Sequence, residues 1–346
     1  MSVGRPLSFF FFKSSILFFW GWLSLTVSAV DLLVVSNSPE RLSEPASLFI
    51  YPVPARKSLR LLYHHKNVTS IPLRFIITVK ATAGSGKMGA LLAAAGPVLD
   101  EVFAGHKAVS RYWNQVPKTK AMWSLSTQES MLLDVLIKPD EIVSGIFECE
   151  SDVDTVFESR VIDPEYPDAS YAVMARAVTP MVYLSPTMVR DVFYRIGDIV
   201  SEIPIGGLPF VRNPLSEYPL KGNYGVTYKI HANLENPDRV ARRVMLFFSP
   251  VGGIARAVVR LNGTQVLQTG NVGGTGFPAI VELLSLNLPP QSKKNMVLEI
   301  IPQSGSYYPV HLVFRSDGPA TVETPLANKK DSWVQETIIT QKVRRS

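Results

Sequence analysis

The chain has 346 residues, of which 46% are hydrophobic and 18% charged, and its formal net charge is +6. Arg5, Lys13 and the basic residues between 321 and 346 carry most of this excess. The body of the chain therefore lacks the clustered lysine and arginine side chains of a nucleic-acid-binding protein. Cys149 is the single cysteine, which excludes an intramolecular disulfide and leaves apolar burial to stabilise the fold.

The N-terminal 29 residues have the composition of a secretory signal. Two basic residues precede or flank an apolar stretch at 16–26, and the small-residue end Val27-Ser28-Ala29 follows it. We therefore expect cleavage after Ala29 and a secreted, periplasmic or cell-surface location. The alternative is an uncleaved anchor running on through residues 32–35, against which the charge of Asp31 argues. Membrane contact is expected only if this segment is retained.

Alternation of apolar and polar residues predicts β-strands along most of the remaining chain. Residues 71–80, 131–137 and 224–230 alternate with a period of two, which places one face on a core and the other largely in water. Asn262-Gly263 is a residue pair that a type I′ hairpin favours, because both central residues need positive φ. Further strands are predicted at residues 59–64, 244–248, 257–261, 296–301 and 310–314.

Helical signals are few. Residues 107–114 predict one short helix, and residues 185–197 predict another, with Ser185 as N-cap and Gly197 after its last turn. Short strands at regular spacing are typical of all-β proteins, so we predict two antiparallel β-sandwich (Ig-like) domains with a short, partly helical connector. The predicted segments are a signal peptide at 1–29, an N-terminal linker at 30–44, the first sandwich at 45–163, the connector at 164–220, the second sandwich at 221–317 and a polar, mobile tail at 318–346.

One weak similarity joins the two halves. A strand that runs into a polar turn ending in asparagine is predicted at residues 62–67 and again at 228–233. The match is too short to establish an internal repeat.

The single cysteine is predicted to lie in a core. Alternation places Cys149 on the same face as Phe147, with Glu148 and Glu150 on the opposite face. A catalytic thiol is the alternative interpretation, but no motif for a nucleophilic cysteine surrounds this residue.

Three histidines are the only candidates for a metal or catalytic site. His64 and His65 are adjacent, and His106 follows some forty residues later. Neighbouring residues on a strand point to opposite faces, so His64 and His65 cannot both bind one ion without a bulge. The simpler interpretation is local hydrogen bonding at a polar strand end. The alternative is a metal-dependent or hydrolytic enzyme with its site around these three residues.

Motifs for cofactor binding are lacking. Gly84-Ser85-Gly86-Lys87 does not have the spacing of a phosphate-binding loop, and no predicted helix follows the glycine-rich residues 270–276. Motifs of the G-x-S-x-G, H-E-x-x-H and paired C-x-x-C types are also missing. We therefore predict no cofactor.

Aromatic and polar residues define the candidate ligand-binding positions. Flat rings stack on sugar faces while nearby polar groups bond the hydroxyls, so aromatic pairs such as Tyr112-Trp113 could form a carbohydrate platform. Core packing is the alternative for each ring. The candidate partners are a cell-envelope polysaccharide or another envelope protein. The candidate ligand-binding residues are His64, His65, Asn67, His106, Arg111, Tyr112, Trp113, Asn223 and Tyr224.

Several short motifs resemble an uncharacterised family of secreted bacterial proteins. They are the sequences at residues 61–67, 96–100, 105–108, 222–228 and 302–310, including Tyr63-His64-His65-Lys66-Asn67 and Gly222-Asn223-Tyr224-Gly225-Val226. The resemblance covers most of the chain after residue 60. It implies an exported bacterial protein and no assigned activity. The paired sandwiches, the lack of catalytic motifs and the polar tail favour a non-catalytic binding or scaffold protein whose recognition loops lie at the ends of the sandwiches.

Overall fold

The computed structural model describes residues 30–37, 40–116, 120–167, 181–198 and 200–317. The predicted signal peptide and tail, and residues 168–180 of the predicted connector, lie outside this range. The described residues form an all-β fold with one α-helix, as predicted. No helix among them is long and apolar enough to cross a membrane.

The first domain is a sandwich of two sheets. Leu61, Phe147, Phe75 and Phe157, which come from both sheets, lie in one buried core. The larger sheet contains, in spatial order, β11 (Met181–Leu184), β1 (Leu32–Ser36), β4 (Ser58–Asn67), β9 (Ile142–Ser151), β6 (Ser85–Val98) and β7 (Ala121–Ser126), with β2 (Arg41–Leu42) also beside β4. The smaller sheet contains β3 (Ala46–Val53), β10 (Thr155–Ile162), β5 (Leu73–Ala81) and β8 (Ser130–Ile137).

The second domain is also a sandwich of two sheets. Tyr228, Ile230, Phe248 and Leu312 belong to its core. One sheet contains, in spatial order, β12 (Thr187–Arg195), β14 (Thr227–Asn236), β19 (Ser292–Ile300), β16 (Val258–Leu261) and β17 (Gln265–Gln268). The other contains β13 (Ser201–Ile205), β20 (Val310–Ser316), β15 (Arg242–Pro250) and β18 (Val281–Leu288), and a short 3-10 helix at Lys221–Asn223 precedes β14.

The two sandwiches are copies of one topology. The order β1-β4-β9-β6-β7 matches β12-β14-β19-β16-β17, and β3-β10-β5-β8 matches β13-β20-β15-β18. Asn67 and Asn236 end equivalent strands, and each donates from Nδ2 to the carbonyl oxygen four residues later. The register of the following strand pair also shifts at the same place, after Ile77 and after Leu246. The structure therefore contains an internal repeat, in which Asn67 corresponds to Asn236 rather than to Asn233.

Each sandwich includes a parallel strand pair that alternation alone did not predict. β1 pairs with β4 in parallel, and β12 pairs with β14 in the same way. The remaining pairs are antiparallel, as predicted, apart from the short parallel contact of β2 with β4. The predicted linker at 30–44 therefore includes strands of the first sandwich.

The predicted connector is likewise part of both sandwiches. β11 joins the first domain, whereas β12 and β13 join the second. The predicted helix at 185–197 is wrong, because β12 occupies most of it. Its apolar residues satisfy helical spacing, but Val189 and Phe193 are more than half exposed, and pairing with β14 determines the conformation.

Several local predictions are confirmed. Asn262 and Gly263 both have positive φ, and they connect β16 to β17 in an antiparallel hairpin. Phe75 is fully buried on β5, while the side chain of Arg74 on the opposite face is 43% exposed. Cys149 is buried, and burial raises the pKa of its thiol. The strand predicted from residue 224 begins later than expected: β14 starts at Thr227, so Tyr224 lies in the loop before it.

The helix predicted at 107–114 is part of a longer helix, α1 (Glu101–Gln115). Asp100 is its N-cap and accepts a hydrogen bond from the Phe103 N–H. α1 occupies the connection between β6 and β7, where the second copy has the Asn262-Gly263 turn.

The helix covers the outer face of the larger sheet of the first domain. Val109 and Tyr112 of α1 belong to the same apolar cluster as Leu62 and Ile146 of that sheet and Tyr228 of the second domain. Both faces of the sheet are consequently buried, and the two sandwiches pack against each other through a shared core.

Candidate functional site

Arg60 stands at the centre of a buried polar network between the two domains. Its guanidinium donates to Glu148 Oε2 at 3.1 and 3.3 Å and to the Tyr112 hydroxyl at 2.9 Å. It also donates to the Gly225 carbonyl oxygen at 2.9 Å and to Thr227 Oγ1 at 2.8 Å. The network thus joins β4, β9 and α1 of the first domain to the start of the second.

Charge pairing keeps the Arg60 guanidinium protonated. Burial by itself lowers the pKa of Arg60, but Tyr112 and Glu148 raise it by more, so the net direction is upward. The Tyr112 hydroxyl donates to Glu148 Oε2 at 2.6 Å, and burial raises the pKa of this phenol. These groups have no open position for a reacting molecule, so we assign them a structural role.

The three histidines are divided between different environments. His65 points into the core of the first sandwich, where its ring lies 5.2 Å from Phe75 and its Nε2 lies 3.0 Å from Ser36 Oγ. His64 points to the opposite, outer face of the sheet, as alternation predicted. His106 on α1 pairs through Nε2 with Gln268 Oε1 of the second domain at 3.0 Å. No group of three potential ligands that could hold a metal is found among the described residues.

His64 is buried, and no described residue hydrogen-bonds to its ring. Its side chain is 2% exposed, neither ring nitrogen has a partner in the part of the chain that the structure describes, and Glu40 Oε1 lies 3.9 Å from Nε2. Burial lowers the pKa of His64 to about 4, and a smaller opposing effect comes from Glu101. Burial also lowers the pKa of His106 to about 4. Both rings are therefore neutral near pH 7.

Asn67 and Asn223, two of the predicted ligand-binding residues, instead organise turns. Asn67 is fully buried and donates to the carbonyl oxygens of Ile71 and Ile137. Asn223 is also fully buried, and its Nδ2 donates to the Tyr228 hydroxyl at 2.7 Å. Both side-chain amides are therefore already used in hydrogen bonds within the fold.

The predicted aromatic platform on α1 is buried between the domains. Trp113 is 2% exposed, and the Arg260 guanidinium lies 4.3 Å above its ring. Tyr112 lies against Trp113 with 5.1 Å between the ring centroids. Arg111 donates to the Ala94 carbonyl oxygen. Core packing, the alternative interpretation, therefore applies to Tyr112 and Trp113.

An open cleft of about 880 Å³ lies where the first sandwich meets the second domain. Tyr224 is the one predicted ligand-binding residue that lines it; its hydroxyl donates to the Ser306 carbonyl oxygen at 3.0 Å. Burial raises the pKa of Tyr224 to about 12. The first-domain lining consists of Asn37, Ile50, Tyr51 and Met181–Leu184, and the second-domain lining of residues 213–216, 218–221 and 224.

A turn built around Asn213 forms one wall of the cleft. Its Oδ1 accepts hydrogen bonds from the N–H groups of Leu215 and Ser216 at 2.9 and 3.0 Å. This turn holds Leu215, which is 94% exposed, and Tyr218, which is 56% exposed, at the cleft.

Two polar atoms of the cleft residues are buried and unpaired. Asn37 Oδ1 and the Tyr183 hydroxyl have no hydrogen-bond partner within the described part of the chain. Burial raises the pKa of Tyr183 to about 12, so its phenol stays protonated at neutral pH. Since unpaired buried polar groups are costly, these two atoms are candidates for ligand contacts.

The cleft could not be found from local sequence patterns. Tyr51, Tyr183 and Tyr218 come from separate segments that meet only after β11 has paired with β1. Arg60 carried a usable signal, because a single arginine interrupts the apolar run Leu59-Arg60-Leu61-Leu62. An isolated charge in such a run indicates a buried pair or a covered face.

Comparisons with known proteins leave the family open. No protein-family model matches the chain, and no curated protein matches it significantly. Among solved structures, the CUB1-EGF-CUB2 domains of rat MASP-1 match with 8% identity and a TM-score of 0.19, over 80% of this chain and 99% of that one. The N-terminal CBM22-1-CBM22-2 tandem domain of Paenibacillus barcinonensis Xyn10C matches with 10% identity and a TM-score of 0.15, over 75% of this chain and 77% of that one. These TM-scores are too low to support an argument about fold or function.

Proposed function

We propose that this chain is an exported, non-catalytic binding protein of the cell surface or periplasm, and that the cleft between its domains binds a polysaccharide of the cell envelope. The observation that supports this most directly is the lining of the cleft. It combines tyrosine rings with two buried, unpaired polar atoms, Asn37 Oδ1 and the Tyr183 hydroxyl.

The chemistry of this lining suits a neutral sugar. Aromatic rings pack against the apolar faces of sugar rings, and Tyr218 is exposed enough to do so. Asn37 Oδ1 and the Tyr183 hydroxyl are buried, so a sugar hydroxyl bonds to them only after these side chains turn toward the cleft. Lys221 is the one charged residue in the described lining, so most of the polar contacts that the cleft offers a ligand are uncharged.

The rival interpretation is a metal-dependent or hydrolytic enzyme with His64, His65 and His106 in its site. Its support is weaker, because His65 points into the sandwich core and His106 is engaged with Gln268. Elemental analysis of protein purified without an affinity tag tests it directly. One equivalent of zinc or copper that is lost in a His106→Ala variant would overturn the binding proposal in favour of an enzyme.

Export is the part of the proposal that depends on the N-terminal segment. The mature protein should begin at or near Val30, two residues before the start of β1. N-terminal sequencing of the protein recovered outside the cytoplasm tests this. Recovery of a chain that still contains residues 9–12 would contradict cleavage at Ala29.

Two tyrosines of similar exposure provide a matched test of the cleft. Tyr218 lines it and is 56% exposed, whereas Tyr307 is 63% exposed and does not line it. Binding of polysaccharide extracted from the native envelope is measured by calorimetry for the wild type, Tyr218→Ala and Tyr307→Ala. Tyr218→Ala should weaken binding by about 2- to 12-fold, as expected for loss of about 0.5–1.5 kcal/mol at a stacking ring, and Tyr307→Ala should not. Lack of binding by the wild type, or equal loss in both variants, would refute the cleft as a polysaccharide site.

A further inference from the structure

β12 forms an edge of the five-stranded sheet of the second domain. It pairs in parallel with β14 along one side, and within the described residues no strand lies along its other side. Nine residues long, it is among the longer strands of the domain. An edge of this length presents a row of main-chain groups for pairing.

The hydrogen-bond pattern shows which residues point outward. The Ile196 N–H donates to the Glu235 carbonyl oxygen, and the Pro186 carbonyl oxygen accepts from the Thr227 N–H. In a parallel ladder, alternate residues bond to the same neighbour, so the even-numbered residues of β12 bond to β14. The N–H and C=O groups of Val189, Asp191 and Phe193 consequently face the open edge.

The first domain shows what fits this position. β1 is the counterpart of β12 in the internal repeat, and the equivalent edge of β1 carries β11 as an antiparallel strand. Leu33 pairs with Tyr183 there, and the alignment of Asn67 with Asn236 makes Leu33 the counterpart of Val189. The position is therefore occupied by an extended apolar segment in one copy and is open in the described part of the other.

Two large apolar side chains of β12 are exposed to solvent beside the open edge, where a bound strand would cover them. Val189 and Phe193 are 54% and 57% exposed, and they alternate with Asp191 on the outer face of the sheet. We propose that β12 is a docking edge for an extended segment of a partner polypeptide. The segment adds as an antiparallel strand, and its apolar residues pack beside Val189 and Phe193.

A second copy of this chain fits the edge less well than a partner does. Antiparallel pairing of β12 with itself places Val189 opposite Phe193 in one register only. That register also places Asp191 directly opposite the Asp191 of the other copy, and like charges in this position are destabilising. In the neighbouring registers Val189 faces Asp191 or Arg195 instead.

A model peptide tests strand addition. The probe is a capped nonapeptide that alternates valine and threonine, added to isotope-labelled protein while amide hydrogen exchange is followed by NMR. Saturating peptide should slow exchange at Val189, Asp191 and Phe193 at least ~10-fold, because these amides gain main-chain acceptors. Failure of the peptide to protect them would overturn the proposal.

Substitutions at one position separate main-chain pairing from side-chain contact. Val189→Pro removes an N–H that faces the open edge and leaves the ladder to β14 intact, so it should fold and lose most of the peptide affinity. Val189→Thr retains the N–H and should bind within about threefold of the wild type. Equal affinity of the proline and threonine variants would refute strand addition.

The free protein distinguishes the other occupants. Amides 189, 191 and 193 should exchange rapidly in the absence of peptide, and light scattering should give the mass of one chain. Slow exchange together with the mass of two chains would overturn the proposal in favour of a second copy. Slow exchange in a single chain would overturn it because the chain then covers its own edge.

Discussion

Removal of the buried Arg60 guanidinium is expected to lower the free energy of unfolding more than removal of an exposed charge. Arg60→Met retains a long apolar side chain but removes the guanidinium donors to Glu148, Gly225 and Thr227. Within the described residues, Glu148, whose side chain is 7% exposed, then keeps the hydrogen bond from the Tyr112 hydroxyl. An uncompensated buried charge of this kind costs about 3–5 kcal/mol of unfolding free energy.

An exposed ion pair provides the control for this change. Lys57 and Asp31 have side chains that are 54% and 39% exposed, with 3.4 Å between their charged atoms. Lys57→Met should cost at most about 1 kcal/mol, because solvent screens such pairs. Equilibrium urea unfolding at pH 7, with circular dichroism as the signal, measures both variants.

The double variant Arg60→Met/Glu148→Met separates the cost of the isolated charge from the strength of the pair. With both charges gone, most of the lost stability should return, because apolar residues of similar volume often replace a buried pair at little cost. The reasoning is refuted if Arg60→Met costs no more than Lys57→Met. It is also refuted if the double variant is as unstable as Arg60→Met alone.

Three further predictions follow from burial in the described residues. Gly105→Ala should destabilise the chain by about 1–3 kcal/mol despite the helix preference for alanine, because the added Cβ would overlap the Ser304 carbonyl oxygen of the second domain. Gly252→Ala is the control: its Cβ would have nothing within 4 Å, so it should be nearly neutral in the same urea assay. Folding lowers the pKa of His64 from 6.5 to about 4, so between these pH values the unfolded chain binds a proton that the folded chain does not. The contribution of His64 to the free energy of unfolding is therefore complete above pH 6.5 and falls by about 2 kcal/mol between pH 7 and 5. His64→Leu should flatten that part of the curve of stability against pH. Phe75→Ala should cost about 3–5 kcal/mol and Arg74→Ala at most about 1 kcal/mol by calorimetry, and equal costs would contradict the register of β5.

Strand positions could be predicted from the sequence where one face of a strand meets solvent. Alternation identified the buried face of β5, because Arg74 on the other face remains partly exposed. Alternation also placed Glu148 on the face opposite Cys149, but that face is covered by α1, so Glu148 is buried beside Arg60 instead of meeting solvent. Alternation indicates two different faces of a strand, but it does not indicate what covers each face.

Pairing and site geometry could not be predicted because they depend on contacts between distant segments. β1 lies between β4 and β11 in the sheet. In the sequence, β4 follows β1 by some twenty residues and β11 follows it by more than a hundred. The predicted helix at 185–197 failed for the same reason, since its neighbour β14 determines its conformation. The hypothesis that His64, His65 and His106 form a site rested on residue type alone, and the fold places His65 in the sandwich core, on the opposite side of the sheet from His64.

The internal repeat explains why the two copies present different surfaces. In the second copy, Asn262-Gly263 joins β16 to β17 directly, whereas in the first copy α1 occupies the equivalent connection. α1 covers the outer face of its own sheet and carries His106 and Trp113 to contacts with the second copy. Because this packing fixes one sandwich against the other, the turn around Asn213 meets β11 and forms the cleft. The presence of α1 in one of two similar sandwiches thus accounts for the buried junction between them. The second difference is at β12, whose outer edge has no counterpart of β11 among the described strands.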